Sequence, residues 1–167
     1  SLETQMSSLK KNNFHSLSYP AIAVDKGSIS KIIDNKIEKN LLNWILIFSS
    51  KHVVIENAQI NDVEKYGIAV SGTKSCVIKK CQINNCKNSS IVAYDYSNVI
   101  VTNNRISQIG KFCFNVFNGG IISAEQNIIH CDLNTDNVYL DSSFYPKVNG
   151  FEYSKTPLNM TVNRIIS

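Results

Sequence analysis

VVIENAQI at residues 53–60, followed by GIAV at residues 67–70, is the stretch that decides the fold. Val53, Ile55 and Ile60 in the first run, and Ile68 and Val70 in the second, recur two residues apart or across a short turn. Two-residue alternation of β-branched residues reads as strand. A step of 23 residues reproduces the pattern in both directions. Ile60 becomes Ile37 and Phe14 upstream, and Ile83, Ile106 and Ile129 downstream. Five places before these lie Leu9, Ile32, Ile55, Ile78, Val101 and Ala124. Two places before them lie Asn12, Asn35, Ala58, Cys81, Asn104 and Asn127, so two short Asn ladders are expected, Asn12–Asn35 and Asn104–Asn127, with Ala58 and Cys81 as the interruption. A second apolar pair keeps the same step, with Ile22, Ile45, Ile68, Ile91 and Phe114 as one row and Val24, Ile47, Val70, Ala93, Val116 and Tyr139 as the next. Met160 and Val162 return to phase after a lapse near Pro146. Rows that hold one period over this many copies are the mark of a solenoid.

Leucine-rich repeats fall in the same length range and share an L-x-L-x-x-N-x-L core. Two features exclude them. The leading leucine is replaced by Gly27, Ser50, Thr73, Tyr96 and Gly119, and the second half of each repeat alternates with period two instead of following a helix. The expected fold is therefore all-β, a right-handed single-stranded parallel β-helix of about seven rungs of 23 residues. One β-helix domain is expected over 1–167, as a piece of a longer chain or with its ends covered by partners, because open strand edges need caps. Residues 142–157, with Phe144, Tyr145, Pro146, Phe151 and Tyr153, are expected to leave the repeat as an irregular aromatic loop.

Composition narrows the function classes. Hydrophobic residues make up 43% and charged ones 18%, which is the balance of an ordered chain with a core. The net charge of +4 comes from 17 basic and 13 acidic residues without a basic face; Lys10-Lys11 and Lys79-Lys80 are the only dense spots, so nucleic acid is not an expected partner. The longest apolar stretch, Trp44–Phe48, is too short to span a bilayer. Cys76, Cys81, Cys86, Cys113 and Cys131 show no C-x-x-C spacing, and several fall where other rungs carry Val or Ala, so small buried apolar residues are expected in place of zinc ligands or a disulfide framework. His15, His52 and His130 cannot share one metal, since His52 is out of phase and the other two lie five rungs apart.

The pattern v-x-I-x-x-N-x-I, loop, G-I-x-V resembles the parallel β-helix repeat of the pectate-lyase-like superfamily. VVIENAQI with GIAV, and VIVTNNRI (99–106) with FNV (114–116), carry the resemblance. It covers most of the chain; it is specific for fold and nearly silent on activity, because unrelated functions share that fold. Lyases of this type remove the proton α to a uronate carboxylate with an Arg or Lys base while Ca²⁺ or another cation neutralises the carboxylate. The resemblance implies Lys79 and Arg105 as candidate catalytic residues, with Glu56 and Glu125 as candidate oxygen ligands. The acids are nevertheless too scattered for a calcium site, and no cofactor is expected. The paired Asp motifs of β-helical glycoside hydrolases and the signature of alginate epimerases are missing.

Alternation assigns the outward rows. One surface is polar, with Glu56, Lys79, Thr102 and Glu125, then Lys36, Gln59, Gln82 and Arg105, then Glu38, Asn61, Asn84, Ser107 and His130. Such a groove of amides and mixed charges suits a polysaccharide. The other surface is apolar, with Leu46, Ala69, Val92, Asn115 and Val138 beside Phe48, Ser71, Tyr94, Phe117 and Leu140. Cover by the 142–157 loop, a homo-oligomer, or a sugar-stacking platform of Tyr94 and Phe117 would account for it. The expected function is binding, with lyase-type cleavage as an extension, of an extracellular polysaccharide by a secreted or cell-surface protein. Glu56, Gln59, Gln82, Glu125, Tyr94 and Phe117 are the candidate substrate-binding residues. The alternative is a non-catalytic structural or adhesive rod.

Overall fold

The computed structural model describes residues 7–26, 29–40, 45–130, 138–140, 146–148 and 164–165. Each turn of chain supplies three strands. The first is β1 (Ser7–Lys10), β2 (Asn13–His15) and β3 (Ile22–Asp25); the second is β4 (Ile29–Ile33), β5 (Lys36–Asn40) and β6 (Ile45–Phe48). The third is β7 (His52–Glu56), β8 (Gln59–Val63) and β9 (Tyr66–Ser71); the fourth is β10 (Cys76–Lys79), β11 (Gln82–Cys86) and β12 (Ser89–Tyr94). The fifth is β13 (Asn98–Thr102), β14 (Arg105–Ile109) and β15 (Phe112–Val116), and a partial sixth has β16 (Ile121–Glu125) and β17 (Ile128–His130). Like strands stack in parallel, giving a first sheet β1-β4-β7-β10-β13-β16, a second β2-β5-β8-β11-β14-β17 and a third β3-β6-β9-β12-β15. Ile60 pairs with Ile37 below and Ile83 above, so the sequence period is the hydrogen-bond register.

Inward rows form the core. Ile37, Ile60, Ile83 and Ile106 are at most 1% exposed, and the Ile55 and Ile68 rows join them. Further inward rows are Ile47, Val70, Ala93 and Val116; Val53, Cys76, Val99 and Ile122; and Val63, Cys86 and Ile109. The three thiols Cys76, Cys81 and Cys86 are buried and unbridged, and burial pushes each up to about 12. They behave as apolar side chains.

The corners explain much of the polar sequence. Lys11, Asp34, Asn57, Lys80, Asn103 and Gln126 are left-handed at the first corner; Ser16, Lys39, Asp62, Asn85 and Gln108 at the second; Lys26, Ser49, Gly72, Asp95 and Asn118 at the third. These φ values lie between 48° and 62°. The conformation costs a side-chain-bearing residue about 1 kcal/mol or more, least for Asn and Asp. Asn57 and Asn85 offset part of that cost by donating from Nδ2 to Asp34 and Asp62 on the rung below, at 2.7 and 2.8 Å. Asn118 donates likewise to Asp95.

Both expected Asn ladders form. Asn12 donates its backbone N–H and its Nδ2 to Asn35 Oδ1, at 3.1 and 3.0 Å, and Asn104 does the same to Asn127 Oδ1 at 2.9 Å each. Each ladder amide also donates into backbone carbonyls: Asn35 to Leu9 and Ile33, Asn127 to Val101 and Glu125. Cys81 does not break the upper ladder. Its N–H donates to Asn104 Oδ1 at 2.8 Å, and its thiol points at the Lys79 and Ile55 carbonyls, at 3.3 and 3.8 Å, the places an Asn amide would serve. Only Ala58 leaves a gap.

The far end corrects two expectations. Among the described residues five turns are complete, not seven, because the third sheet stops at β15. The strand β18 (Val138–Leu140), whose residues were expected to extend that sheet, pairs antiparallel with β19 (Pro146–Val148). Pro146 lacks an N–H and is tolerated there because a two-stranded ribbon has free edges. The strand β20 (Arg164–Ile165) then returns to the second sheet, with Ile165 beside Ile129, a longer step than the repeat. Residues 142–145 and 149–157 of the expected loop, together with Met160 and Val162, lie outside the described residues.

Candidate functional site

The second sheet brings the predicted polar rows together. Lys36, Gln59, Gln82 and Arg105 stand in one register, and Glu38, Asn61, Asn84 and Ser107 in another two residues along. Their positions alternate with buried Ile37, Ile60, Ile83 and Ile106, which fixes them on the solvent side. Gln59, Gln82 and Arg105 are exposed, while Asn61, Asn84 and Ser107 are half-buried. Ser107 donates to Asn84 Oδ1 at 3.0 Å, and Lys36 pairs with Glu38 at 2.9 Å. The face thus carries its charge at Lys36, Glu38 and Arg105 and neutral amides between. Beside it at the first corner, a hollow of about 320 Å³ is lined by Lys80, Cys81, Gln82, Asn103, Asn104, Arg105, Gln126 and Ile128.

The third polar row runs along the adjoining edge of the first sheet, as Glu56, Lys79, Thr102 and Glu125 in register. Glu56 Oε2 meets Lys79 Nζ and Glu56 Oε1 meets Lys80 Nζ, each at 3.2 Å. Hydrogen bonds from Lys79 and then Lys80 hold the Glu56 carboxyl below the usual glutamate range. In this arrangement the Lys79 amine is engaged by a carboxylate, and Arg105 stands on the next turn across the corner. Glu56 and Glu125 are three rungs apart, roughly 14 Å at the spacing of stacked strands, too far to share one cation. Among the described residues no three His, Cys, Asp or Glu gather into a metal-binding group.

Tyr94 and Phe117 lie on the third sheet, a different face from the amide rows. Their rings stack on each other with centroids 5.1 Å apart and planes within 14°. Each ring gives one face to the other, so a sugar approaching that sheet from outside meets ring edges. Ala69 and Val92, in the neighbouring outward row, are 1% and 0% exposed although they lie outside the main core cluster. Gly67, in the same sheet, is required by close approach. A Cβ there would come within 2.6 Å of the Ser90 carbonyl and 3.2 Å of the Cys86 sulfur.

A family model described as right handed beta helix region matches residues 1–156. The chain belongs to that family. The match agrees with the stacked parallel sheets and with the superfamily resemblance carried by VVIENAQI and VIVTNNRI. No curated protein and no solved structure matches this β-helix. No described helix is long and apolar enough to cross a membrane. Sequence reasoning missed the contact between His52 and Ser75 on the first sheet, although the two are one 23-residue step apart.

Proposed function

We propose that this β-helix binds an extracellular polysaccharide along the outer face of its second sheet, as part of a secreted or surface protein. The observation that supports it most is the regular stack of Gln59, Gln82 and Arg105 beside Asn61, Asn84 and Ser107. Rungs repeat at ~4.8 Å, a step comparable to the length of one pyranose residue in a linear glycan. A glycan lying along the axis would meet a Gln–Asn pair on two successive rungs, Gln59 with Asn61 and Gln82 with Asn84, and Arg105 with Ser107 on the next. Arg105 and Lys36 suit uronate carboxylates. Many weak bonds of this kind bind with modest affinity and without an enclosed pocket.

Calorimetry with polygalacturonate, alginate and chondroitin oligosaccharides tests the reading, using cellulose oligosaccharides as the neutral control. Saturable heat with an acidic glycan, abolished by Gln82→Ala combined with Arg105→Ala, is expected; no heat with any of them sinks it. Ultraviolet absorbance of an unsaturated product in the same samples reports lyase-type cleavage by Lys79 or Arg105. The rod reading is favoured by one observation, the burial of outward Val92 and Ala69. Both side chains are buried within the single chain, which suits a self-covered shaft; a homo-oligomer is the other form of the rod. Sedimentation at increasing concentration separates the two forms of it.

A further inference from the structure

At the entry to the first sheet, outward positions one rung apart hold His52, the first residue of β7, and Ser75, just before β10, and Asn98, the first residue of β13, follows in the same row. Val53, Cys76 and Val99 beside them pair in register and point into the core. The Ser75 hydroxyl lies 3.0 Å from His52 Nδ1, and both residues are half-buried. Asn98 is exposed. The next outward row along the strands is Val54, Val77 and Ile100, an apolar strip with Ile100 45% exposed. A serine hydroxyl within hydrogen-bond reach of an imidazole is the minimal activated nucleophile.

The geometry points to a serine acyl-transfer site on this face, with Ser75 as nucleophile, His52 as general base, Asn98 as donor to the developing oxyanion, and a short-chain acyl ester as substrate. With His52 protonated on Nε2, the Ser75 hydroxyl donates to Nδ1. Ser75 Oγ attacks the ester carbonyl carbon and its proton passes to Nδ1. The tetrahedral adduct collapses, the C–O bond to the alcohol breaks, and the alcohol leaves with the proton from the imidazolium. Water then attacks the acyl-serine carbonyl and gives its proton to His52 Nδ1; the bond from the acyl carbon to Ser75 Oγ breaks, Oγ takes that proton back, and the free acid departs. Asn98, one strand along at ~4.8 Å, is placed for the carbonyl oxygen, and Val54 and Val77 are placed to receive the acyl chain. The face is open, so the alcohol portion is unrestricted in size. Among the described residues no carboxylate pairs with His52. Loss of the orienting acid from a complete triad costs about 10⁴ in rate. Slow turnover is therefore expected, and an activated ester, whose good leaving group makes acylation faster than deacylation, accumulates as the acyl-serine. This inference does not depend on glycan binding by the second sheet.

The test is covalent labelling of the folded full chain with a fluorophosphonate and with p-nitrophenyl acetate, followed by peptide mapping. Expected are a single adduct on Ser75 from both reagents, its loss in Ser75→Ala, and acylation slowed about 100-fold in His52→Asn. Asn98→Ala is expected to slow acylation by about tenfold or more. Circular dichroism on each variant confirms folding, and mapping on the unsubstituted chain needs no variant at all. Absence of a Ser75 adduct in that chain, adducts confined to Lys51 or Lys74, or equal acylation rates with and without His52 would each overturn the assignment.

Discussion

The second and third sheets share a period, a register and inward rows of the same kind, yet their outer faces differ completely. The second presents Gln59, Gln82, Arg105, Asn61, Asn84 and Ser107 to solvent. The third carries Leu46, Ala69, Val92, Tyr94 and Phe117, with Ala69 and Val92 buried. A parallel coil dictates only what points inward, because each strand's hydrogen bonds are satisfied by the rungs above and below. What points outward is free to vary, and there function or assembly has to be read.

The largest expected contrast is between the two sides of one strand. Ile83→Ala removes a fully buried side chain from the middle of the aliphatic stack and is expected to cost about 3 kcal/mol in urea unfolding. Gln82→Ala, its neighbour facing out, is expected to stay within about 0.5 kcal/mol while weakening glycan binding. A cost at Gln82 equal to that at Ile83 would mean that the outer face is not free.

Next come the ladders. Asn104→Ala strips the acceptor from the Cys81 N–H and the donor from the Ile78 carbonyl, and is expected to cost about 2 kcal/mol. Cys81→Asn keeps both roles and is expected to be near neutral. The Cys76, Cys81 and Cys86 thiols should resist alkylation at pH 8 until the chain unfolds, since burial holds each up at about 12. Fast labelling of these three in the folded state would show that the core is breached.

The two outer faces are compared directly by charge. Val92→Asp on the third sheet is expected to cost about 2 kcal/mol, as burial of an unpaired carboxylate, while Asn84→Asp on the second is expected to change little. Equal small effects would show that the third face is open. The smallest effect belongs to Glu56. Its carboxyl titrates lower when folded than when unfolded, so its stabilising share is present above the ordinary value of 4.5 and is lost as pH falls through the lower folded value. Glu56→Gln should remove that acid-limb dependence and cost under about 1 kcal/mol, as expected of a surface pair.

The 23-residue step made the core and both Asn ladders legible, because inward stacking repeats residue type as well as position. It did not reveal the left-handed corners. Lys11, Asn57 and Lys80 share a backbone conformation but no side-chain property. Nor did it count the turns correctly: Val138, Tyr139 and Leu140 keep the right phase and alternation, and only their antiparallel partner, Pro146–Val148, shows that they leave the coil. Among candidate site residues, Gln59, Gln82 and Arg105 fall in one register as expected. Tyr94 and Phe117 were legible as neighbours, but not as rings that occupy each other's faces. The His52–Ser75 contact was hidden because neither residue repeats along its row.

Residue-by-residue NMR titration with an acidic oligosaccharide tests glycan binding by the second sheet most directly. Saturable shifts confined to Gln59, Asn61, Gln82, Asn84, Arg105 and Ser107, with Tyr94 and Phe117 unmoved, are the expected result. Shifts centred on the third sheet, or none with any acidic glycan, would contradict it.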